Sequence, residues 1–301
     1  MTLWLTACHQ PDPLLRIGTN TWPGYEPFYL ARHQGMYEQR NIRLVELPSA
    51  TDVIDAMRLG SLEGGTLTLD EVLTLSSEGI DLTIVLICNI SNGADVLMAH
   101  SSFTQLSDLA DKTIAVETSA VGALMLHSLL EQANLSIHNV TVQHMPLGQH
   151  LAAFHDGTIH AAITFEPFAT ELERVGAKRL FDSRQIPNTI IDVLAIRTDA
   201  IAPHHAQLRH LLDGFFHARE AILQHQPDAL RAVNLRLQMP EADLIRAYDD
   251  LIMPDRAENQ RLLQRTLPEK TERLTHLLKE NHLLLPHDFV PPRISTQLLG
   301  S

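Results

Sequence analysis

Basic charge, cysteine and long apolar runs are all scarce in this 301-residue sequence. It has 23 Lys and Arg against 36 Asp and Glu, a formal net charge of −13, which argues against binding to nucleic acid or to anionic lipid surfaces. No apolar run approaches the roughly 18–20 residues of a membrane-spanning helix. Apolar residues nevertheless make up 45 % of the chain. This composition is typical of a packed globular protein, and the length favours two lobes.

The two cysteines have different surroundings in the sequence. Cys88 ends an apolar run at 82–88 and is expected to be a buried core residue. Cys8 follows Leu5-Thr6-Ala7, which is similar to the lipobox of bacterial lipoprotein signal peptides, although a basic n-region is missing. We therefore expect lipidation at Cys8 and a tether over 1–13, with a chance match as the alternative. The 17 His residues show no metal-ligand spacing, so neither a metal nor a cofactor is expected.

A pattern of alternating strand and helix signals occurs twice in the first two hundred residues. The first copy begins with a strand signal at 14–19 and the second with one at 113–116. Both copies read β-α-β-α-β, and 43 residues separate Ile17 from Gly60 as well as Ile114 from Gly157. This repeat predicts an α/β protein with two lobes built on one plan, each a mostly parallel sheet with helices on both faces.

The repeat also predicts how the chain is divided. Lobe 1 is expected to occupy 14–98 and lobe 2 to occupy 99–194. Residues 195–285 would return to lobe 1 as helical cladding, and 286–301 would form a loose tail. Segments 82–100 and 190–197 are expected to cross between the lobes and act as hinges. Ligands bind outside the carboxyl ends of parallel strands, so the cleft should be formed by the loops at 20–26, 68–70, 117–120 and 165–166.

Two motifs make the sequence resemble a known family. They are WPGYEPFYLAR at 22–32, followed by GMY at 35–37, and DGTIHAA at 156–162, followed by FEP at 165–167. Together they resemble the solute-binding proteins for nitrate, sulfonates, taurine and thiamine precursors, although His160 stands where that group usually has Asp. The resemblance covers about 14–200. It implies a monomeric periplasmic-binding-protein clamshell of type II that hands a small molecule to an ABC permease of the inner membrane.

The charged side chains expected near the cleft loops are acidic, with Arg184 as the one basic loop residue that could reach it. The predicted ligand-binding residues are Trp22, Tyr25, Asp70, Asp95, Glu117, Ser119, Phe165, Glu166 and Asp192. Unpaired buried carboxylates would repel an anion, and an aromatic face attracts a cation. We therefore expect a small organic cation or an amino-bearing ring: a guanidinium-like compound, an amine or an aminopyrimidine. A small oxoanion (sulfonate, taurine or nitrate) is the alternative.

Six of these residues also have a purely structural interpretation. Asp70 and Glu166 precede helices and are equally expected as caps. Asp95 and Asp192 could serve only to bind backbone groups in the crossover segments. Ser119 could be an N-cap, and Trp22 could be a ring packed in the core.

Two other functions compete with transport. In an enzyme, Glu117 and Glu166 could form a carboxylate pair for acid–base chemistry. Against this, the sequence has no Gly-x-Ser-x-Gly elbow, Gly-rich phosphate loop or convincing Cys/His pair. The other possibility is a sensor subunit that closes on its ligand in the same way and reports to a membrane receptor.

Overall fold

The computed structural model of the chain describes residues 13–117, 120–280, 283–285 and 289–300. Cys8 and Ser119 lie outside the described residues. Two β-sheets organise the described part. Their strands are β1 (Leu15–Thr19), β2 (Ile42–Glu46), β3 (Gly64–Thr68), β4 (Leu82–Ser91), β5 (Val96–His100), β6 (Thr113–Val116), β7 (Thr141–His144), β8 (Ala161–Thr164), β9 (Ala177–Asp182), β10 (Ile191–Arg197), β11 (Leu251–Ile252) and β12 (Arg293–Ile294).

The helices cover these sheets. They are α1 (Glu26–His33), α2 (Ala50–Arg58), α3 (Leu69–Ser77), α4 (Ala120–Gln132), α5 (His150–His155), α6 (Phe168–Arg174), α7 (His205–Leu223), α8 (Pro227–Leu237), α9 (Glu241–Asp249), α10 (Arg256–Arg261) and α11 (Leu267–Glu280). No helix in the described ranges has both the length and the apolarity needed to cross a bilayer.

The two sheets repeat one plan, which confirms the prediction of two α/β lobes. The sheet of lobe 1 has the order β11-β4-β10-β3-β1-β2, with β12 beside β4, and that of lobe 2 has the order β7-β6-β8-β5-β9. In each lobe the first strand of the repeat pairs in parallel with the other two. The next strand in each sheet is the one that follows a crossing from the other lobe. It is β10, beside β3, in lobe 1 and β5, beside β8, in lobe 2.

The crossover strands make both sheets mixed instead of mostly parallel. β10 runs antiparallel to β3 and β4, and β5 runs antiparallel to β8 and β9. The reason is that the chain enters each lobe from the hinge side, opposite in direction to the strands of the repeat. The chain changes sheets between β4 and β5 and again between β9 and β10, so the expected lobe boundaries at 98 and 194 fall inside β5 and β10.

The expected loose tail is wrong for the described residues at the C-terminus. β12 pairs in parallel with β4, Arg293 opposite Thr83 and Ile294 opposite Ile84. Leu298 and Leu299 are buried in the core of lobe 1. The tail therefore packs against lobe 1 and is held there by the burial of its apolar side chains. Its prolines and polar residues gave no indication of this in the sequence.

Local sequence explains how α2, a helix that faces the cleft, is formed. Ser49 is its N-cap, and the Ser49 Oγ accepts the Asp52 backbone N–H at 3.1 Å. The apolar positions Val53 and Met57 lie one turn apart and are fully buried against lobe 1. Gly60 follows the helix with a φ of 68°, a conformation that glycine adopts without strain.

Candidate ligand-binding cleft

A small cavity lies between the two lobes at the carboxyl ends of the repeat strands. Its volume is about 30 Å³, which accommodates about one or two water molecules. A larger solute can therefore enter only when the lobes move apart. The residues that line it are Asn20, Trp22, Tyr25, Ala50, Thr68, Glu71, Asp95, Glu117, Val121, Phe165, Ile190 and Asp192.

Lobe 1 contributes an aromatic wall that a hydrogen-bond chain holds in place. The Tyr25 hydroxyl donates to Asp192 Oδ1. In the amide orientation that satisfies both of its neighbours, Asn89 donates to Asp192 Oδ2 at 2.9 Å and accepts from Trp22 Nε1 at 3.2 Å. Both rings thus have fixed orientations before any ligand arrives, which reduces the entropy lost on binding.

Lobe 2 contributes Phe165 opposite this wall. The rings of Trp22 and Phe165 meet edge to face, with centroids 4.9 Å apart and an interplanar angle of 86°. Only 4 % of Trp22 and 8 % of Phe165 is exposed. Because the two residues belong to different lobes, separation of the lobes would break this contact and expose both rings.

Three carboxyl groups in or beside this wall line the cavity, and burial is the largest influence on the pKa of each. It raises the pKa of Asp95 to about 7. The pKa values of Glu71 and Asp192 are raised well above their ordinary range by burial and by the negative charge of neighbouring acids. Among the described residues, no donor reaches Glu71 Oε1 or Asp95 Oδ2. At neutral pH these groups therefore favour the protonated form or a donor-bearing ligand.

Glu117 of lobe 2 reaches the N-terminus of α2 in lobe 1. The backbone N–H groups of Ala50 and Thr51 and the hydroxyl of Ser49 lie close enough to its carboxyl group to lower its pKa. The Ser49 hydroxyl itself donates to Asp52 Oδ2 at 2.5 Å. Burial outweighs the effect of these donors and raises the pKa of Glu117 to about 7. The N-terminus of α2 thus faces the cleft beside a carboxyl group of lobe 2.

The cavity brings together six of the nine residues predicted from the sequence: Trp22, Tyr25, Asp95, Glu117, Phe165 and Asp192. Asp70 and Glu166 are buried but do not line it. Burial raises the pKa of Asp70 to about 6, and its charge acts on Asp95 and Asp192. Ser119 is outside the described residues.

Glu166 and Arg184 have structural partners instead of a place at the cavity. Glu166 Oε2 accepts the Thr170 backbone N–H at 3.0 Å, which caps the first turn of α6. The guanidinium of Arg184 pairs with Asp182 at 2.7 Å. Glu117 and Glu166 therefore do not face a common space as an acid–base pair would. Nor do the described residues contain a group of three His, Cys, Asp or Glu that could hold a metal ion.

Six lining residues are not among the predicted ligand-binding residues. Asn20 and Thr68 lie in loops that were expected to face the cleft, and Glu71 is the neighbour of the predicted Asp70. Ala50, Val121 and Ile190 have no chemical signal of their own. Ala50 contributes a backbone N–H, which only the predicted helix start at the end of β2 could have indicated.

Comparison with known proteins decides the family. The model described as the NMT1-like family matches residues 9–235, most of the chain. The chain belongs to the NMT1-like family.

One protein similar in sequence and several solved structures resemble this chain. An Escherichia coli (strain K12) protein named "Putative aliphatic sulfonates-binding protein" is 24 % identical over 278 residues, 88 % of this chain and 86 % of the relative. The ligand-binding component of an ABC-type import system from Staphylococcus aureus superposes with a TM-score of 0.76 at 17 % identity, covering 95 % of this chain and 97 % of its own. The alkanesulfonate-binding protein SsuA from Xanthomonas axonopodis pv. citri, bound to MOPS, gives 0.76 at 18 %, covering 91 % and 95 %.

The fold also occurs in an enzyme. The desulfurization enzyme DSZB superposes on this NMT1-like chain with a TM-score of 0.66 at 14 % identity, covering 95 % of this chain and 97 % of its own. At such identities the structural likeness establishes the fold alone. Function therefore has to be argued from the cleft.

Proposed function

We propose that this chain is the solute-binding component of an ABC-type importer and captures a small sulfonate or related oxoanion outside the cytoplasm. Its partner would be the importer's membrane permease. The sulfonate-binding relatives support this ligand class over the organic cation that the acidic residues alone favour. Lobe closure over the ligand would produce the conformation that the permease recognises.

The observation that carries the proposal is the N-terminus of α2, which faces the cleft. Ala50 at the start of this helix lines the cavity, and the donors of Ser49, Ala50 and Thr51 lower the pKa of the nearby Glu117 carboxyl group, so they favour negative charge at this place. A sulfonate oxygen accepts hydrogen bonds and carries negative charge, as a carboxylate does. Helix N-termini bind such groups through free N–H donors and the helix dipole, without Arg or Lys. The same donors therefore suit the head group of an oxoanion.

The acids of the cleft are compatible with an anion when they are protonated. Burial holds the pKa of Glu71 and of Asp192 well above the ordinary range of carboxyl groups. A neutral carboxylic acid donates a hydrogen bond, and proteins use this to bind negative oxygen atoms. The cleft would then present donors from both sides. This arrangement makes anion binding dependent on pH, because each proton lost removes a donor and adds a repelling charge.

A small organic cation is the second candidate, and a specific observation favours it. Of the cavity-lining residues in the described ranges, none is basic, and Glu71 Oε1, Asp95 Oδ2 and Glu117 Oε1 find no donor there. An ammonium or guanidinium group would satisfy such oxygens. The Trp22 ring would add about 0.5–2 kcal/mol of cation–π attraction. The two candidates differ in the sign of their pH dependence.

Calorimetric titration of ligand-stripped protein with ethanesulfonate and with ethylammonium, at pH 5.5 and pH 8, tests both candidates. Each probe keeps its charge over this range, so any pH effect belongs to the protein. We expect ethanesulfonate to bind and to bind more weakly at pH 8, since Asp95 and Glu117 lose their protons near pH 7. Binding of ethylammonium alone, stronger at pH 8, would overturn the oxoanion and support the cation.

A further inference from the structure

A second groove lies where lobe 1, lobe 2 and one of the two hinge segments meet. Its walls are α11 and Leu69 of α3 in lobe 1, Ser128 of α4 in lobe 2, and residues of the segment 186–191 that leads from β9 into β10. Its volume is about 390 Å³, within the range of sites that bind small organic molecules. It shares no lining residue with the cleft cavity, so it is a separate space.

The sequence of α11 explains why this groove is both apolar and basic. Leu267, Leu274 and Leu278 are buried and form the stripe that packs on lobe 1. Lys270 and Arg273 border this stripe and, being three residues apart, lie on one side of the helix. The apolar residues that line the groove are Leu69, Ile186, Pro187, Ile191, Leu274 and Leu277.

The charge of the groove is opposite to that of the cleft. The two charged residues that line it in the described part of the chain are Lys270 and Arg273, although the formal net charge of the chain is −13. Neither of them forms an ion pair with another described residue. Their acidic neighbour Glu272 lies on another side of α11, where it lines a different hollow with Pro268 and His276. Two cations beside an apolar surface are complementary to an amphipathic anion.

We propose that this groove is a second binding site, one for organic anions with an apolar body. The chain or ring of such a molecule would lie against the apolar lining, and its acidic head group would pair with Lys270 and Arg273. A guanidinium donates two parallel hydrogen bonds to a carboxylate or sulfonate, and an ammonium adds a point charge. Because neither cation has to give up an existing ion pair, both are available to the ligand. The site does not depend on which ligand the cleft binds.

Methyl-resolved NMR of the protein titrated with octanoate at pH 7 tests the site and locates it. The methyl groups of Ile186, Ile191 and Leu274 report on the groove, whereas those of Val121 and Ile190 report on the cleft. n-Octylammonium is the matched probe with the same chain and the opposite charge. Butanoate is the matched anion with a shorter chain.

Three charge reversals separate the two cations from the general charge of the protein. Lys270→Glu and Arg273→Glu each reverse one cation of the groove. Arg265→Glu is the matched control, because it makes the same change in charge at an exposed position just before α11 that does not line the groove.

We expect octanoate to shift the groove methyl groups and to bind at least about tenfold more tightly than butanoate, because each buried CH₂ group strengthens binding about fourfold. Lys270→Glu and Arg273→Glu should each weaken octanoate binding at least about fivefold, and Arg265→Glu should match the wild type. Equal binding of n-octylammonium would overturn the anion site, as would the absence of shifts in the groove. Shifts confined to Val121 and Ile190 would overturn it as well, while the proposed function of the cleft would stand.

Discussion

Arg179 and Asp250 form an ion pair that joins the two lobes. Arg179 belongs to β9 of lobe 2, and Asp250 follows α9 of lobe 1. Their Nη1 and Oδ2 atoms are 2.9 Å apart, and the same nitrogen donates to the Gly93 carbonyl oxygen at 2.9 Å. The side chains are only 19 % and 13 % exposed. Neither residue lines the cavity, so lobe closure depends partly on contacts that no ligand touches.

We expect Asp250→Asn to weaken ligand binding although it leaves the cavity unchanged. The Arg179–Asp250 pair is mostly buried and would be present in every closed state, so its loss removes closing free energy from the ligand-bound protein. An effect of about 1–2 kcal/mol corresponds to an affinity about 5- to 30-fold lower. Calorimetry with the ligand established for the wild type measures it.

A solvent-exposed pair of lobe 1 provides the control for this prediction. Asp228 pairs with Arg231 three residues along α8, and the side chains are 92 % and 70 % exposed. Exposed pairs of this kind contribute little, so Asp228→Asn should leave affinity within experimental error of the wild type. Equal affinities for wild type and Asp250→Asn would show that the interlobe pair does not contribute to closure.

Tyr25→Phe should lower the free energy of unfolding more than the same substitution at another buried tyrosine, Tyr37. The Tyr25 hydroxyl donates to the buried carboxyl of Asp192, whereas the Tyr37 hydroxyl donates to the Leu211 carbonyl oxygen at 3.1 Å. Loss of this donor leaves the buried Asp192 Oδ1 unsatisfied, which costs about 1–3 kcal/mol, against about 0.5–1.5 kcal/mol for an ordinary hydrogen bond. Urea unfolding of Tyr25→Phe and of the matched Tyr37→Phe measures the difference. A smaller loss for Tyr25→Phe than for Tyr37→Phe would contradict it.

The fold was largely predictable because its signals are local and occur twice. The spacing from Ile17 to Gly60 recurs from Ile114 to Gly157, and the structure places the strands of both copies in the same order. β9 and β12 were not predicted, since their pairing with β5 and β4 depends on neighbours distant in sequence. Strand propensity is weak in such short segments, and burial against the rest of the lobe decides their conformation.

The cleft was predictable where side-chain chemistry coincided with a strand end. Glu117 and Asp192 satisfied both conditions, and both line the cavity. Of the neighbours Asp70 and Glu71, only Glu71 lines the cavity, because consecutive helical residues point in directions about a third of a turn apart. Ala50 lines the cavity at the start of α2, and its backbone N–H is a donor that no side-chain pattern reveals. The sequence favours a cation because it displays the acids without showing that burial raises their pKa values.

The pH dependence of folding provides a further prediction. Burial raises the pKa of Asp95 and of Glu117 to about 7 in the folded protein, while in the unfolded chain carboxyl groups titrate near pH 4. Between these values the folded state binds more protons, so the free energy of unfolding falls as pH rises. His150 acts in the opposite direction, because burial lowers its pKa to about 4. Its titration makes the free energy of unfolding rise with pH, but only below about pH 6.5.

Urea unfolding between pH 6.5 and 8 therefore isolates the acids. We expect the free energy of unfolding to decrease over this interval and to decrease less in Asp95→Asn, which removes one of the titrating groups. Glu26 also has a pKa raised to about 7 by burial, but it pairs with Arg236 outside the cavity. Glu26→Gln therefore shows whether the slope belongs to the cleft. A stability that increases from pH 6.5 to 8 would contradict the raised pKa values.

Gly24 is expected to be essential for the aromatic wall. A Cβ atom at this position would lie 2.0 Å from the side-chain amide of Asn89 and 2.5 Å from Trp22 Nε1, so Gly24→Ala must displace the amide that connects Trp22 to Asp192. Overpacking of this kind costs about 1–3 kcal/mol. Because the displaced groups form the ligand-facing surface, we expect ligand affinity to fall at least about tenfold, as measured by calorimetry.

Gly148→Ala separates this local effect from the general effect of replacing a glycine. A Cβ atom at Gly148 would meet nothing within 4 Å, so stability and affinity should remain within about 0.5 kcal/mol of the wild type. Asn89→Ala in the Gly24→Ala background removes the nearest clashing group without restoring the hydrogen bonds. Stability should then partly recover while affinity stays low, because Asp192 and Trp22 still lack their common partner. Recovery of full affinity in that double variant would mean that the clash, and not the hydrogen-bond chain, determines how Trp22 contacts the ligand.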